Sequence, residues 1–336
     1  MNLSNMLILC FLTVLSCQMS RTQNSTTQNK EIRIENMSFV FYNSSVNDFT
    51  VIPAIHSESL LEIDYYNSSK PTLFVCIGVA TEIHVGKFPP LVDEIIKTKK
   101  YNLVVIDVTY YTLDAYFGID HPRLIGKTLA KAVQNLVSAG LPTNNTECVG
   151  HSLGATICGE IAKLVQPKIA LIVGLDPWRN GGFFRRGYAL HTISLRSDAQ
   201  YFGDILWDSD TELVANGGVR MQPGCHDSEV DNCSHCLALF CWIDMIKNPS
   251  IFFGVECNEI ECDYTSIVSN LGPDFRKKGT FHFRTSGYSP YGLGIEGIKD
   301  IVPTKNSTFK YYDAQSIDFF SPAYRGYLSK DIIEYY

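Results

Sequence analysis

The sequence predicts an α/β fold, with a mostly parallel central sheet covered by helices on both faces. Three observations lead there. Between residues 72 and 174, short continuous apolar runs alternate with helix-compatible stretches. That is the pattern of strands buried on both faces and joined by crossover helices. Gly150-His151-Ser152-Leu153-Gly154 stands between a strand-like 147–149 and a helix-compatible 155–165. G-x-S-x-G in that setting is a tight strand-to-helix turn that lifts a serine above the sheet edge. The chain has 336 residues, 45% hydrophobic and 19% charged, enough to bury a large core as one domain or two.

Residues 6–15 form a mostly apolar run followed by Ser16, Cys17 and Ser20. The run is too short to cross a bilayer. It reads as a secretory leader over 1–20, although its start lacks the usual Lys or Arg. No later run reaches spanning length, so the sequence predicts an exported protein without a transmembrane segment. Residues 21–35 are polar, rich in Asn, Gln and Thr, and read as a flexible arm. Sequons at Asn24, Asn36, Asn43, Asn67, Asn144, Asn232 and Asn306 agree with export and glycosylation. Asn232, beside Cys233, is a poor acceptor. The net charge of −7 argues against a nucleic-acid partner and gives no basic attraction to anionic membranes.

Apolar, β-favouring stretches at 37–42 and 49–55 come first, with Asn/Ser turns between them. Residues 72–79 read as a buried strand, 90–97 as a short helix and 102–108 as a second buried strand. A helix over 122–140 has proline at its start and glycine at its end. Residues 147–149 lead into the elbow, and 168–174 form the next strand. Beyond residue 189 the pattern loosens into loops, a helix-like 237–246 and a late strand at 279–285. Residues 295–336 are aromatic-rich without a period. With no internal repeat and no linker, one domain is expected. Right-handed crossovers place the strand ends together, so a site forms at their carboxyl edge.

A serine nucleophile needs a base, and the base needs an orienting carboxylate. Asp176 follows the strand 168–173 in Gly174-Leu175-Asp176-Pro177 and stands at the same sheet edge as Ser152. Asp107, ending the strand before the long helix, is the rival. Of eight histidines, His151 lies inside the elbow and is disposed to point away from the serine. His56, His84, His121, His191, His226 and His282 read as surface or packed residues. His235, in Cys233-Ser234-His235, sits where a disulfide would anchor a loop over the sheet edge, with a helix-like stretch after it. The order Ser…Asp…His is that of the α/β-hydrolases.

Val149-Gly150-His151-Ser152-Leu153-Gly154-Ala155, Gly174-Leu175-Asp176-Pro177, Gln222-Pro223-Gly224-Cys225 and Cys233-Ser234-His235 together resemble the pancreatic lipase family. That family holds extracellular triacylglycerol lipases, phospholipases A1 and insect yolk proteins. The resemblance covers residues 39–292 and keeps four separated motifs in order. It implies an α/β-hydrolase domain over 36–292, a tail over 293–336 too short for an accessory β-sandwich, and an acyl-lipid substrate met at an interface. It implies Ser152 as nucleophile, Asp176 as orienter and His235 as base, with no metal or cofactor. The oxyanion hole would be formed by the N–H groups of Leu153 and Val79. One departure stands out. The family's His-Gly-aromatic after the first core strand is Ile77-Gly78-Val79 here, so the side chain that braces that loop is absent. Losing one oxyanion donor costs about 3 kcal/mol of transition-state stabilisation.

In the family, two cysteines bracket a lid before the catalytic histidine. Cys225 and Cys233 match that pair, with only His226–Asn232 between them. Seven residues cannot build an amphipathic lid helix, and this loop carries Asp227, Glu229 and Asp231. In lid length the chain resembles the phospholipases A1, which implies release of the sn-1 fatty acid from phospholipids. A triacylglycerol or galactolipid lipase is one alternative, and a yolk-type lipid-binding protein is another, favoured by Ile77. A metal site at Cys225, Cys233, Cys236 and Cys241 is a further rival, set aside because an exported protein is a poor place for reduced ligands. Of the eleven cysteines, Cys10 and Cys17 fall in or beside the leader. Nine then remain, leaving at least one thiol unpaired within the chain. Cys257 can pair with Cys262 across a short turn, Cys236 and Cys241 read as packed or bonded, and Cys76, Cys148 and Cys158 as buried free thiols.

Overall fold

A computed structural model of the chain describes residues 31–78, 88–112, 121–179, 184–199, 201–226, 232–257, 268–299 and 301. The leader at 1–20 and most of the arm lie outside these. The arm's last residues pack on the body, where the amide of Arg33 donates to the Tyr111 hydroxyl at 2.7 Å. Beyond residue 292, Ile298 and Ile301 pack with Val255 and Cys257. No helix among the described residues is long and apolar enough to cross a membrane. Asn43, Asn67 and Asn144 are exposed, and Asn36 and Asn232 are half-buried.

Among the described residues, eleven strands form one sheet. They are β1 (Ser38–Tyr42), β2 (Phe49–Pro53), β3 (Thr72–Cys76), β4 (Asn102–Asp107), β5 (Thr146–His151), β6 (Leu171–Leu175), β7 (His191–Arg196), β8 (Thr211–Ala215), β9 (Phe253–Cys257), β10 (Val268–Asn270) and β11 (Gly279–Phe283). Their order across the sheet is β10-β9-β11-β8-β7-β6-β5-β3-β4-β1-β2. The block from β4 to β11 is parallel, and antiparallel strands finish both margins. β3, β6 and β8 are buried along their whole length, as the unbroken apolar runs of β3 and β6 require.

Helices cover both faces. On one lie α1 (Phe88–Thr98) and α4 (Cys233–Lys247), and on the other α2 (His121–Ser138) and α3 (Leu153–Leu164). α1 turns Phe88, Leu91, Val92 and Ile95 inward, the i, i+3, i+4, i+7 stripe of an amphipathic helix. α3 is buried from Leu153 through Ala162, held between α2 and the sheet.

Three sequence expectations are corrected. Cys233-Ser234-His235 is the first turn of α4 and no loop; the helix begins one residue after Asn232 and brings the histidine with it. The stretch after 189 is not irregular, for it supplies β7 and β8. Cys148 and Cys158 are not free thiols. They form a disulfide, because α3 folds back along β5 and sets position 158 over position 148, 5.8 Å apart at Cα. Cys76 and Cys241 are buried thiols, and Cys236 is buried.

Candidate active site

The sheet register sets the site. His151 pairs with Leu175 across β5 and β6, and Leu175 pairs with Leu195 on β7. The next residues along those strands are Ser152, Asp176 and Arg196. Ser152 and Asp176 therefore leave the carboxyl edge side by side, on strands about 4.8 Å apart. The Ser152 amide still donates to the Leu175 carbonyl at 3.0 Å, and the Asp176 amide to the Leu195 carbonyl at 2.7 Å.

Ser152 has φ 56° and ψ −122°, a conformation a non-glycine residue adopts only when its surroundings enforce it. Glycines make those surroundings possible. A Cβ on Gly150 would lie 2.3 Å from the Gly154 carbonyl oxygen, and one on Gly154 would lie 2.1 Å from that of Cys76. The turn can be this tight only without side chains at both positions. Residue 78 also runs against the serine, where an added Cβ would come within 2.9 Å of Ser152 Cβ. Leu153 opens α3, so its N–H belongs to the turn whose amides have no intrahelical acceptor and whose dipole favours negative charge. Val79 lies outside the described residues.

Asp176 is fully buried. Its Oδ1 accepts the amides of Ser197 at 2.9 Å and Asp198 at 3.0 Å. His235 Nδ1 donates to its Oδ2 at 2.5 Å. Asp107 instead accepts from the Thr109 amide at its own strand end. The His235 side chain is 7% exposed, its ring flanked by Phe202 at 5.3 Å and by His151 at 4.7 Å between centroids. His151 Nε2 donates to the His235 carbonyl at 3.1 Å, tying the residue before the serine to the first turn of α4. Gln222 clamps the far side of that turn. Its amide donates to Ser234 Oγ at 3.0 Å, and its Nε2 donates to the carbonyls of Ser197, Ala215 and Val219. The Cys225–Cys233 disulfide closes the same junction. Cys257 is also disulfide-bonded, and Cys262 lies outside the described residues.

Sequence reasoning missed Asp198 and Arg220. Asp198 is buried beside Asp176, and Arg220 donates to both its oxygens at 2.9 and 3.0 Å. The guanidinium also lies over the Tyr201 ring, 3.7 Å from its centroid. Burial pushes the Asp198 carboxyl up to about 6, against the pull of Arg220. Asp176, Asp198 and His235 present ligand atoms within 4.8 Å of one another. Their oxygens are engaged by backbone amides, Arg220 and the imidazole, which makes a hydrogen-bonded relay and not a cation cage.

A pH-dependent prediction follows from this pair. Folded Asp198 keeps its proton to about pH 6, whereas an unfolded aspartate loses it near pH ~4. Its own contribution to stability is thus full below that lower value and is lost as pH rises through 6. Arg220→Leu should cost about 2–3 kcal/mol at pH 8, where it strands a buried anion. The cost should shrink at pH 5, where Asp198 is protonated and needs no cation. Urea midpoints at the two pH values check this, and equal losses at both would refute it.

A family model described as Lipase matches residues 7–266. Among curated proteins, the chain is 25% identical over 229 residues to lipase member H-A of Xenopus laevis, which covers 60% of this chain and 47% of that protein. It is 24% identical over 270 residues to pancreatic triacylglycerol lipase of Myocastor coypus, with coverage of 70% and 57%. It is 25% identical over 253 residues to phospholipase A1 1 of Dolichovespula maculata, with coverage of 66% and 78%. The chain spans about half the length of the frog and coypu proteins.

Proposed function

Because the chain belongs to the lipase family and carries an α/β-hydrolase fold, we propose that it is a secreted serine carboxylic-ester hydrolase acting on phospholipids at the sn-1 position. One observation carries the reading. The 2.5 Å hydrogen bond from His235 Nδ1 to the buried Asp176 is assembled beside a serine held in the strained elbow conformation. Asp176 then fixes the tautomer in which His235 Nε2 accepts a proton. His235 takes the proton of Ser152, whose oxygen attacks the ester carbonyl. The N–H groups of Leu153 and Val79 hold the tetrahedral oxyanion. The lysophospholipid leaves with the proton from His235, and water, deprotonated by the same imidazole, releases the fatty acid. No step calls for a metal or cofactor.

The preference for phospholipid rests on the seven residues between Cys225 and Cys233. So short a loop would shield less of the serine than a lid helix does, which a polar headgroup tolerates better than a triglyceride. Likeness to both a triacylglycerol lipase and a phospholipase A1 keeps the neutral lipid as the competing substrate. Export is supported by the Cys148–Cys158 and Cys225–Cys233 disulfides, which persist in oxidising surroundings. We assign the catalytic domain to 36–292. The test is hydrolysis of phospholipid labelled separately at each acyl position, beside a triglyceride, with Ser152→Ala as control. Release from sn-1 alone is expected. Faster triglyceride turnover would overturn the phospholipid assignment, and equal release by Ser152→Ala would overturn the hydrolase.

A further inference from the structure

A cavity of about 510 Å³ lies at the opposite end of the sheet from Ser152. Its floor is made by Leu73, Val149, Leu171 and Val173, all buried, with Leu73 and Leu171 near the amino-terminal ends of β3 and β6 and Val149 and Val173 midway along β5 and β6. α1 contributes Ile95, and the last turns of α4 contribute Trp242 and Met245. Glu147, on this wall, precedes Ser152 by five strand residues, about 17 Å along β5. Val149 and Val173 stand three positions short of Ser152 and Asp176, and none of Ser152, Asp176 and His235 lines the cavity; its size falls in the class that holds a small ligand.

Polar groups are gathered at one side of it. Glu147 shares the face of β5 that carries Val149, since alternate strand residues point the same way. It is an acid set into an otherwise apolar sheet surface. Its side chain is 15% exposed and meets Arg276 at 3.3 Å. Burial raises its carboxyl pKa, while Arg276 and Lys100 pull the other way. Tyr101 lies beside it, with its phenol also pushed up by burial. At the mouth, Lys100 pairs with Asp274, joining the segment after α1 to the segment before β11, with Thr98 exposed next to them.

We propose that this cavity binds a single long acyl chain, with the chain on the aliphatic floor and an anionic oxygen of the head group at the mouth. Segregation of an apolar body from a polar mouth matches a single-chain amphiphile. The N–H groups of Lys100 and the Tyr101 hydroxyl, both lining the cavity, donate to the head, while Arg276 stays paired with Glu147. Glu147 and Asp274 make the mouth equally suited to a head that also carries a cation. A free fatty acid and a lysophospholipid share the required chemistry, whereas a two-chain lipid exceeds the space. This inference does not rest on the ester-hydrolase reading, because the floor and mouth use none of the catalytic groups.

The test uses the full chain carrying Ser152→Ala, so that the acyl ester of a lysolipid stays intact. Oleate and 1-oleoyl-lysophosphatidylcholine, each below its micelle concentration, are titrated separately by calorimetry. One equivalent should bind at the cavity, apart from any uptake of the same molecules by the catalytic cleft. Thr98→Trp, at the exposed mouth, and Leu171→Phe, on the floor, should each weaken binding at least tenfold in chains with unchanged circular dichroism. Glu147→Gln should tighten oleate more than the zwitterionic lysolipid, since it removes a like charge facing the carboxylate. Tighter binding of one ligand in the parent chain identifies the head the mouth prefers. Absence of binding by both, or binding of unchanged affinity in folded Thr98→Trp, overturns the proposal. A parent chain, with Ser152 intact, that binds oleate and hydrolyses no ester would count against the enzyme reading alone.

Discussion

Asp176→Asn should lower kcat on an ester substrate by on the order of 10⁴-fold, and Ser152→Ala by at least as much. The reason lies in what Asp176 holds. Its Oδ1 is already occupied by the amides of Ser197 and Asp198, which locks the carboxylate so that Oδ2 faces His235 Nδ1. An amide at that position can present its NH₂ to the imidazole, which then keeps its proton on Nε2 and cannot accept one from the serine. Folding should be little affected, because Asn preserves the volume. Reaction with an alkyl fluorophosphonate reads the serine's nucleophilicity directly, and labelling should slow in parallel with kcat. Near-normal labelling of Asp176→Asn would place the orienting carboxylate elsewhere. Asp198, at the same sheet edge, is the first group to examine in that event.

Gly154→Ala should remove both stability and activity. An added Cβ would lie 2.1 Å from the Cys76 carbonyl oxygen and 2.5 Å from its carbon, both backbone atoms of a central strand that cannot rotate away. α3 would have to move off β3, carrying the Leu153 amide from the position where an oxyanion would form. Overpacking of this kind costs about 1–3 kcal/mol and occasionally more, and contact with backbone atoms puts this site at the upper end. The measurement pairs a denaturation midpoint with titration of the reactive serine. Gly272→Ala is the control, because its Cβ would meet only Pro249 Cβ at 3.4 Å and should leave both readings unchanged. A Gly154→Ala chain with the parent's midpoint and turnover would show that the helix start does not press on β3.

Much of this was legible in the residues. Ser152 and Asp176 each follow an apolar strand, and a parallel sheet puts such positions on one edge. The setting of His235 was harder to read. Its cysteine-flanked sequence suggested a loop, and only the packing of α4 on the sheet makes it the first turn of a helix. β7 and β8 escaped notice because they carry Arg196 and Glu212, charges that pattern-reading assigns to the surface. In the fold, Arg196 is fully buried, its Nε donating to Glu212 Oε2 at 2.9 Å and its guanidinium to the carbonyls of Asp204 and Leu206. Once β7 is seen as a strand, Asp198 falls just past its carboxyl end, where Asp107 and Asp176 were sought. The Cys148–Cys158 bond could not be read from spacing alone. It depends on a helix doubling back over the strand that precedes it.

The eight-residue separation between Cys225 and Cys233 closes a ring whose far anchor is two residues from His235. Both anchors are pinned from outside that ring, by Gln222 on one side and the opening turn of α4 on the other. Residues inserted within it would lengthen the segment between the two anchors and leave the spacing of the reactive groups untouched. In such a scaffold, the length of the ring can change while the proposed reactive groups stay fixed on adjacent rungs of a ladder.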